Sequence, residues 1–155
     1  LPVIAFLVIQ CTELSAQQKG SFSMGAGFPE LLNAGARYSI SDNTAVGGSL
    51  GWWPPSAPGI VSWTNLFSIS GDLYYHFGGR SEYTAIRPWY FRLSVNCIME
   101  DDGWWFSFLR VGREFNIDEN CAFIMDAGLF YNLNNKSTGI IPVFVSGGAG
   151  VLYRF

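Results

Sequence analysis

From Pro142 to Phe155 the chain alternates, residue by residue, between two chemically different faces. Phe155, Tyr153, Val151, Ala149, Gly147, Val145 and Val143 fall on one face, and Arg154, Leu152, Gly150, Gly148, Ser146 and Phe144 on the other. A period of two is the side-chain repeat of a β-strand. One face has no polar side chain and the other is mostly small or polar, the pattern of a strand with hydrocarbon on one side and a packed lumen on the other. A buried strand of a water-soluble protein can show the same alternation over one segment, so the rest of the chain has to decide.

Composition narrows the choice. DEKR residues make up 14% of the 155, against about 25% in soluble domains, while hydrophobic residues make up 49% and aromatics 17%. A single domain with so little charge cannot coat a water-facing surface on all sides. Past residue 10 no stretch approaches the roughly 20 apolar residues of a membrane helix. Lipid offers no partner to open backbone groups, so a membrane-embedded chain without such a helix must close its strands into a barrel. The net charge of −3 and the lack of any basic stripe argue against a nucleic-acid partner.

Residues 2–9 form a short apolar run that gives way to polar residues and a Leu14-Ser15-Ala16 step. This reads as the apolar region and cleavage site of a secretory signal peptide over 1–16, truncated at its start, with the barrel domain over 17–155. Cys11 raises the alternative of a lipoprotein signal, against which stands Gln10 where a small residue is wanted. Loss of the leader leaves Cys97 and Cys121, which the strand map puts at opposite ends of the barrel and therefore out of disulfide range.

The alternation recurs in seven upstream segments between turn signals, with expected strands starting near Ser21, Leu32, Val46, Trp63, Trp89, Trp104 and Phe123. In the fifth strand Trp89, Phe91, Leu93, Val95, Cys97 and Met99 oppose Tyr90, Arg92, Ser94, Asn96, Ile98 and Glu100. The sixth is ambiguous, because Arg110 and Arg113 differ in parity; Arg110 is assigned inside, with Arg113 snorkelling to the interface. Eight antiparallel strands, an even number, make an all-β, up-and-down transmembrane barrel. With Phe155 at the periplasmic end, Ser41–Asn43, Gly78–Ile86 and Asp118–Asn120 become periplasmic connections. Pro29–Leu31, Pro54–Val61, Asp101–Gly103 and Asn134–Ile141 become the outer ones. Aromatic residues then gather in two girdles: Phe28, Trp52, Trp63, Trp105 and Tyr131 at the outer rim, and Tyr38, Tyr75, Phe77, Trp89, Phe115 and Tyr153 at the other. The stretch Ser39 to Ala45 also matches Asn116 to Ala122 in kind, each across an expected periplasmic turn.

Periodicity, turns and the Val151-x-Tyr153-x-Phe155 row together resemble the small eight-stranded outer-membrane barrels of the OmpX and OmpA type, over about residues 20–155. The resemblance is one of architecture and carries over no catalytic residue. It implies a Gram-negative outer-membrane location, contact with outer-membrane lipid and lipopolysaccharide, and a monomer. It also implies that Val151, Tyr153 and Phe155 are the signal read by the barrel assembly machinery.

The inward parity holds Arg37, Asp72, His76, Arg92, Asn96, Glu100, Arg110, Glu114, Asp126 and Asn132. Both signs occur, and an eight-stranded barrel is just wide enough for its own side chains. These residues are therefore expected to plug the lumen with ion pairs and hydrogen bonds; a gated pore or proton path is the functional alternative. Glycines and serines of strands one, two, three and eight leave room there for small water pockets.

His76 is the only histidine, which excludes a multi-histidine metal site. Small outer-membrane barrels include lipid A deacylases, in which a His and a Ser two residues apart point from one strand toward lipid. Here Tyr74 and Gly78 stand at that spacing and His76 faces inward, so no catalytic residue is assigned. No cofactor is implied. Glu100, Asp101 and Asp102 form an acidic outer loop, read as a solvated turn with a divalent-cation bridge to lipopolysaccharide phosphates as its alternative. The Ser146–Gly150 run lies within the strand alternation with no helix behind it, so its glycines signal close packing rather than a phosphate loop. The expected function is a non-enzymatic structural or surface-interaction barrel. Its rivals are a soluble lipocalin-like barrel, with the apolar parity around a ligand cavity, and a small outer-membrane pore.

Overall fold

In a computed structural model of the chain, the described residues are 19–53, 66–82, 86–99, 103–133 and 143–155. They form eight strands and no helix: β1 (Gly20–Phe28), β2 (Leu31–Ser39), β3 (Thr44–Trp53), β4 (Leu66–Phe77), β5 (Trp89–Met99), β6 (Trp104–Asn116), β7 (Cys121–Asn132) and β8 (Val143–Arg154). Every strand pairs antiparallel with the next, and β1 pairs with β8 to close the barrel. Closure removes the sheet edge, so no row of backbone groups is left open to the surroundings.

The β2–β3, β4–β5 and β6–β7 connections lie at one end, called proximal here, with Lys19 and Phe155; the β1–β2 turn lies at the distal end. Two proximal turns are built alike, as the internal sequence match suggested. The Ser41 hydroxyl accepts from the backbone N–H groups of Asn43 and Thr44, and Asp118 Oδ1 accepts from those of Asn120 and Cys121. Asn43 O then accepts from His76 N at 2.6 Å and Asn120 O from Arg154 N at 2.7 Å, so each turn also ties in the next strand but one or the closing strand.

The expected parity holds. β4 alternates between buried and exposed from Leu66 to His76, and in β6 Arg110 faces in while Arg113 faces out. Outside, Arg113 lies over the rings of Trp89 and Phe115, which lets a cation sit among apolar neighbours. The molecule is inside-out by the standard of a soluble domain: Leu93 is 48% exposed and Val145 74%, whereas Arg110 and Arg154 are each 1% exposed. A lipocalin-like barrel needs its apolar parity inward, so this burial pattern overturns that alternative.

Trp52, Trp105 and Tyr131 lie exposed toward the distal rim, and Trp89 and Tyr153 toward the proximal rim. One aromatic residue departs from expectation. Phe28 is exposed at the distal rim with its ring edge-on to Phe130, whereas Phe144, expected on the lumen face, sits half-exposed at the mouth with its ring stacked on Phe130. Phe144 lies at a strand end, where the sheet no longer dictates which way a side chain leans. Trp63, Glu100 and residues 1–16, Cys11 included, lie outside the described residues.

Candidate functional site: the charged lumen

The lumen is layered. Toward the distal end Leu66, Ile98, Phe106, Phe108 and Phe130 form an apolar cluster. Beside it a central ionic group joins Arg92 and Arg110 to three carboxylates. Arg92 donates to both oxygens of Asp72 and to Glu30 Oε1 at 3.2 Å, and lies 3.9 Å from Asp126. Arg110 donates to Glu30 Oε2 at 3.3 Å, to Asp126 Oδ1 at 3.2 Å, to Ser146 Oγ and to the Phe28 carbonyl. Three acids face two arginines, and hydroxyl donors take up the difference. Ser94 and Ser70 donate to Asp72, Ser49 to Glu30 and Tyr90 to Asp126. This satisfaction is required, because a carboxylate withdrawn from water without partners costs several kcal/mol.

Tyr74 and Tyr90, packed with Ala45, separate this group from a second one at the proximal end. Gly112 is what lets the Tyr90 ring lie over β6 with its hydroxyl at Asp126 of β7, since a Cβ there would overlap the phenol ring. In the proximal group Arg37 donates to Glu114 Oε1 at 3.1 Å, while Arg154 donates to Glu114 Oε2 and to Asn116 Oδ1. The Arg37 guanidinium also lies 4.1 Å from the centre of the Tyr74 ring. His76 is buried, with Nδ1 3.0 Å from the Arg87 carbonyl just ahead of β5.

Most of the network could be read by counting in twos. Arg37, Asp72, His76, Arg92, Asn96, Arg110 and Glu114 are all buried on the inward face, and Asp126 and Asn132 lie half-buried on it. Two members were missed. Arg154 was already on the polar parity of β8, and only its place next to the end of the strand hid its role. Glu30 carried no such signal: the expectation for Pro29–Leu31 was a plain outer turn. Instead Glu30 is 1% exposed and reaches down between the two central arginines.

Backbone geometry explains the difference. The β1–β2 hairpin is short, and at its tip Leu31 and Leu32 both oppose Trp52, a bulge in which Leu31 has φ 32°. A leucine with positive φ is strained and persists only where its surroundings hold it; the two ion pairs of Glu30 do so here. Gly51 makes room for the inserted turn, since a Cβ there would crowd Ser68 Oγ and the Glu30 backbone.

On the glycine-rich side a cavity of about 20 Å³ is lined by Gly25, Asn33, Arg92, Arg110, Asp126 and Gly148 among others. That is room for about one water molecule, as the small residues of these strands led us to expect. Cys97 and Cys121 are free thiols near opposite ends of the barrel.

No protein-family model matches the chain, and no curated protein matches it. Among solved structures the chain is similar to the crystal structure of Neisserial surface protein A, at 20% sequence identity and a TM-score of 0.44. The overlay covers 88% of this chain and 94% of that one. At that level no residue role passes from one chain to the other, and what the barrel does has to be read from its own polarity.

Proposed function

We propose that the chain is an outer-membrane β-barrel protein of the OmpX and OmpA type without a catalytic centre, serving a structural or surface-interaction role. The observation that carries this reading is the inverted polarity. An outer surface of large apolar side chains encloses a lumen in which four arginines and four carboxylates pair in two groups. In water the outer belt would be an aggregation liability; in a bilayer it is the required surface. The lumen carboxylates are engaged by arginines and hydroxyls, which suits a structural role for them. In this reading lipid meets the outer belt, lipopolysaccharide the distal rim, and Val151, Tyr153 and Phe155, exposed in one row on the outer face, meet the assembly machinery.

Cell fractionation tests the proposal. The protein should sediment with outer-membrane density and leave the pellet only in detergent. A protein that remains soluble and monodisperse without detergent would overturn it.

A further inference from the structure

The central ionic group holds three carboxylates against two guanidinium groups, and the proximal group holds two guanidinium groups, Arg37 and Arg154, against the single carboxylate of Glu114. The central surplus is answered by hydroxyl donors; the proximal surplus, which is positive, needs acceptors. Among the described residues none reaches Arg37 Nε, Arg154 Nε or Arg154 Nη1, although the two side chains are only 6% and 2% exposed. Both arginines line a cavity of about 20 Å³, together with Lys19, His76 and Glu114, at the proximal mouth. The spare negative charge of the central group lies beyond the Tyr74 and Tyr90 layer, and attraction falls off with distance. A remote charge also supplies no hydrogen-bond acceptor.

We propose that the proximal cavity is a binding site for a small monovalent anion of halide size, held by Arg37 and Arg154 opposite Glu114. The chemistry selects the class. An anion accepts from several N–H donors at once and cancels the unbalanced charge, whereas a water molecule satisfies donors and leaves the charge. Size points to a small member, since the space between these side chains admits a body about as large as one water molecule. The site belongs to the lumen and stands whether or not the membrane reading does.

Bromide is the probe, compared with gluconate at equal ionic strength, on the folded full chain in detergent. A ligand that binds only the folded state stabilises it by mass action, so the thermal midpoint should rise saturably with bromide, by about 2–4 °C at about five times Kd. Glu114→Gln, which removes the competing carboxylate, should give a larger rise; Arg37→Met should abolish it. Crystals grown in bromide should show its anomalous scattering in the cavity. Equal midpoints in bromide and gluconate for both wild type and Glu114→Gln, or bromide scattering at other places only, would leave the cavity to water and overturn the proposal.

Discussion

Glu30 shows at the scale of one residue how the lumen is held. Its carboxylate is shared by Arg92 and Arg110. Removing a partner from a buried ion pair costs about 3–5 kcal/mol, because the remaining charge has no water to return to. Here the acids outnumber the arginines, so losing an acid and losing an arginine are not equivalent. Glu30→Gln should destabilise the folded barrel by about 3 kcal/mol, and Arg92→Met, which leaves three carboxylates with a single cation, by more. Urea titration of refolded protein measures both; equal losses would show that the acid surplus is not felt. On the outer face, Leu93 lies near mid-strand, where an arginine facing hydrocarbon costs roughly 2–4 kcal/mol. Leu93→Arg should therefore fold poorly into liposomes, and a yield equal to wild type would remove the lipid assignment.

At the scale of elements, the β2–β3 and β6–β7 turns are two copies of one device with different bond strength. Ser41 holds its turn by neutral contacts of 3.4 and 3.2 Å, whereas the Asp118 carboxylate accepts two bonds of 2.7 and 2.6 Å. Hydrogen bonds to a charged group are the stronger kind. Asp118→Ala should cost about 1.5 kcal/mol and Ser41→Ala about 0.5 kcal/mol, read as shifts in the denaturation midpoint. Asp118→Ser, which keeps a neutral acceptor, should recover about a third of the Asp118→Ala loss, the share Ser41 supplies in its own turn. The β1–β2 hairpin behaves otherwise: its tip turns inward, and its strain at Leu31 is held by ion pairs to β5 and β6, far away in sequence.

Across the whole molecule, stacked layers close the lumen: an apolar cluster, the central ionic group, two tyrosines and the proximal ionic group. Two cavities among the described residues, at the proximal mouth and on the glycine-rich side, are each about one water molecule in size and have no lining residue in common. Reconstituted protein in planar bilayers should therefore show no stable unit conductance. The glycine-rich side is the place for this to fail. Unit channels that vanish when Gly148 is replaced by a bulky residue would make the barrel a pore.

What the sequence determined by itself was everything that depends on a strict repeat of two. Strand number, parity and most lumen charges follow from it, because in a closed sheet each residue's face is set by its neighbour's. The proximal pair Arg37 and Glu114 could be placed in the lumen this way, but not beside each other. Only the tertiary structure decided which inward residues meet, since that depends on how strands distant in the chain face one another across the lumen. It alone brought in Glu30, because a turn has no parity to count. It also moved Phe144 to the mouth, where the end of the sheet releases side chains from the repeat.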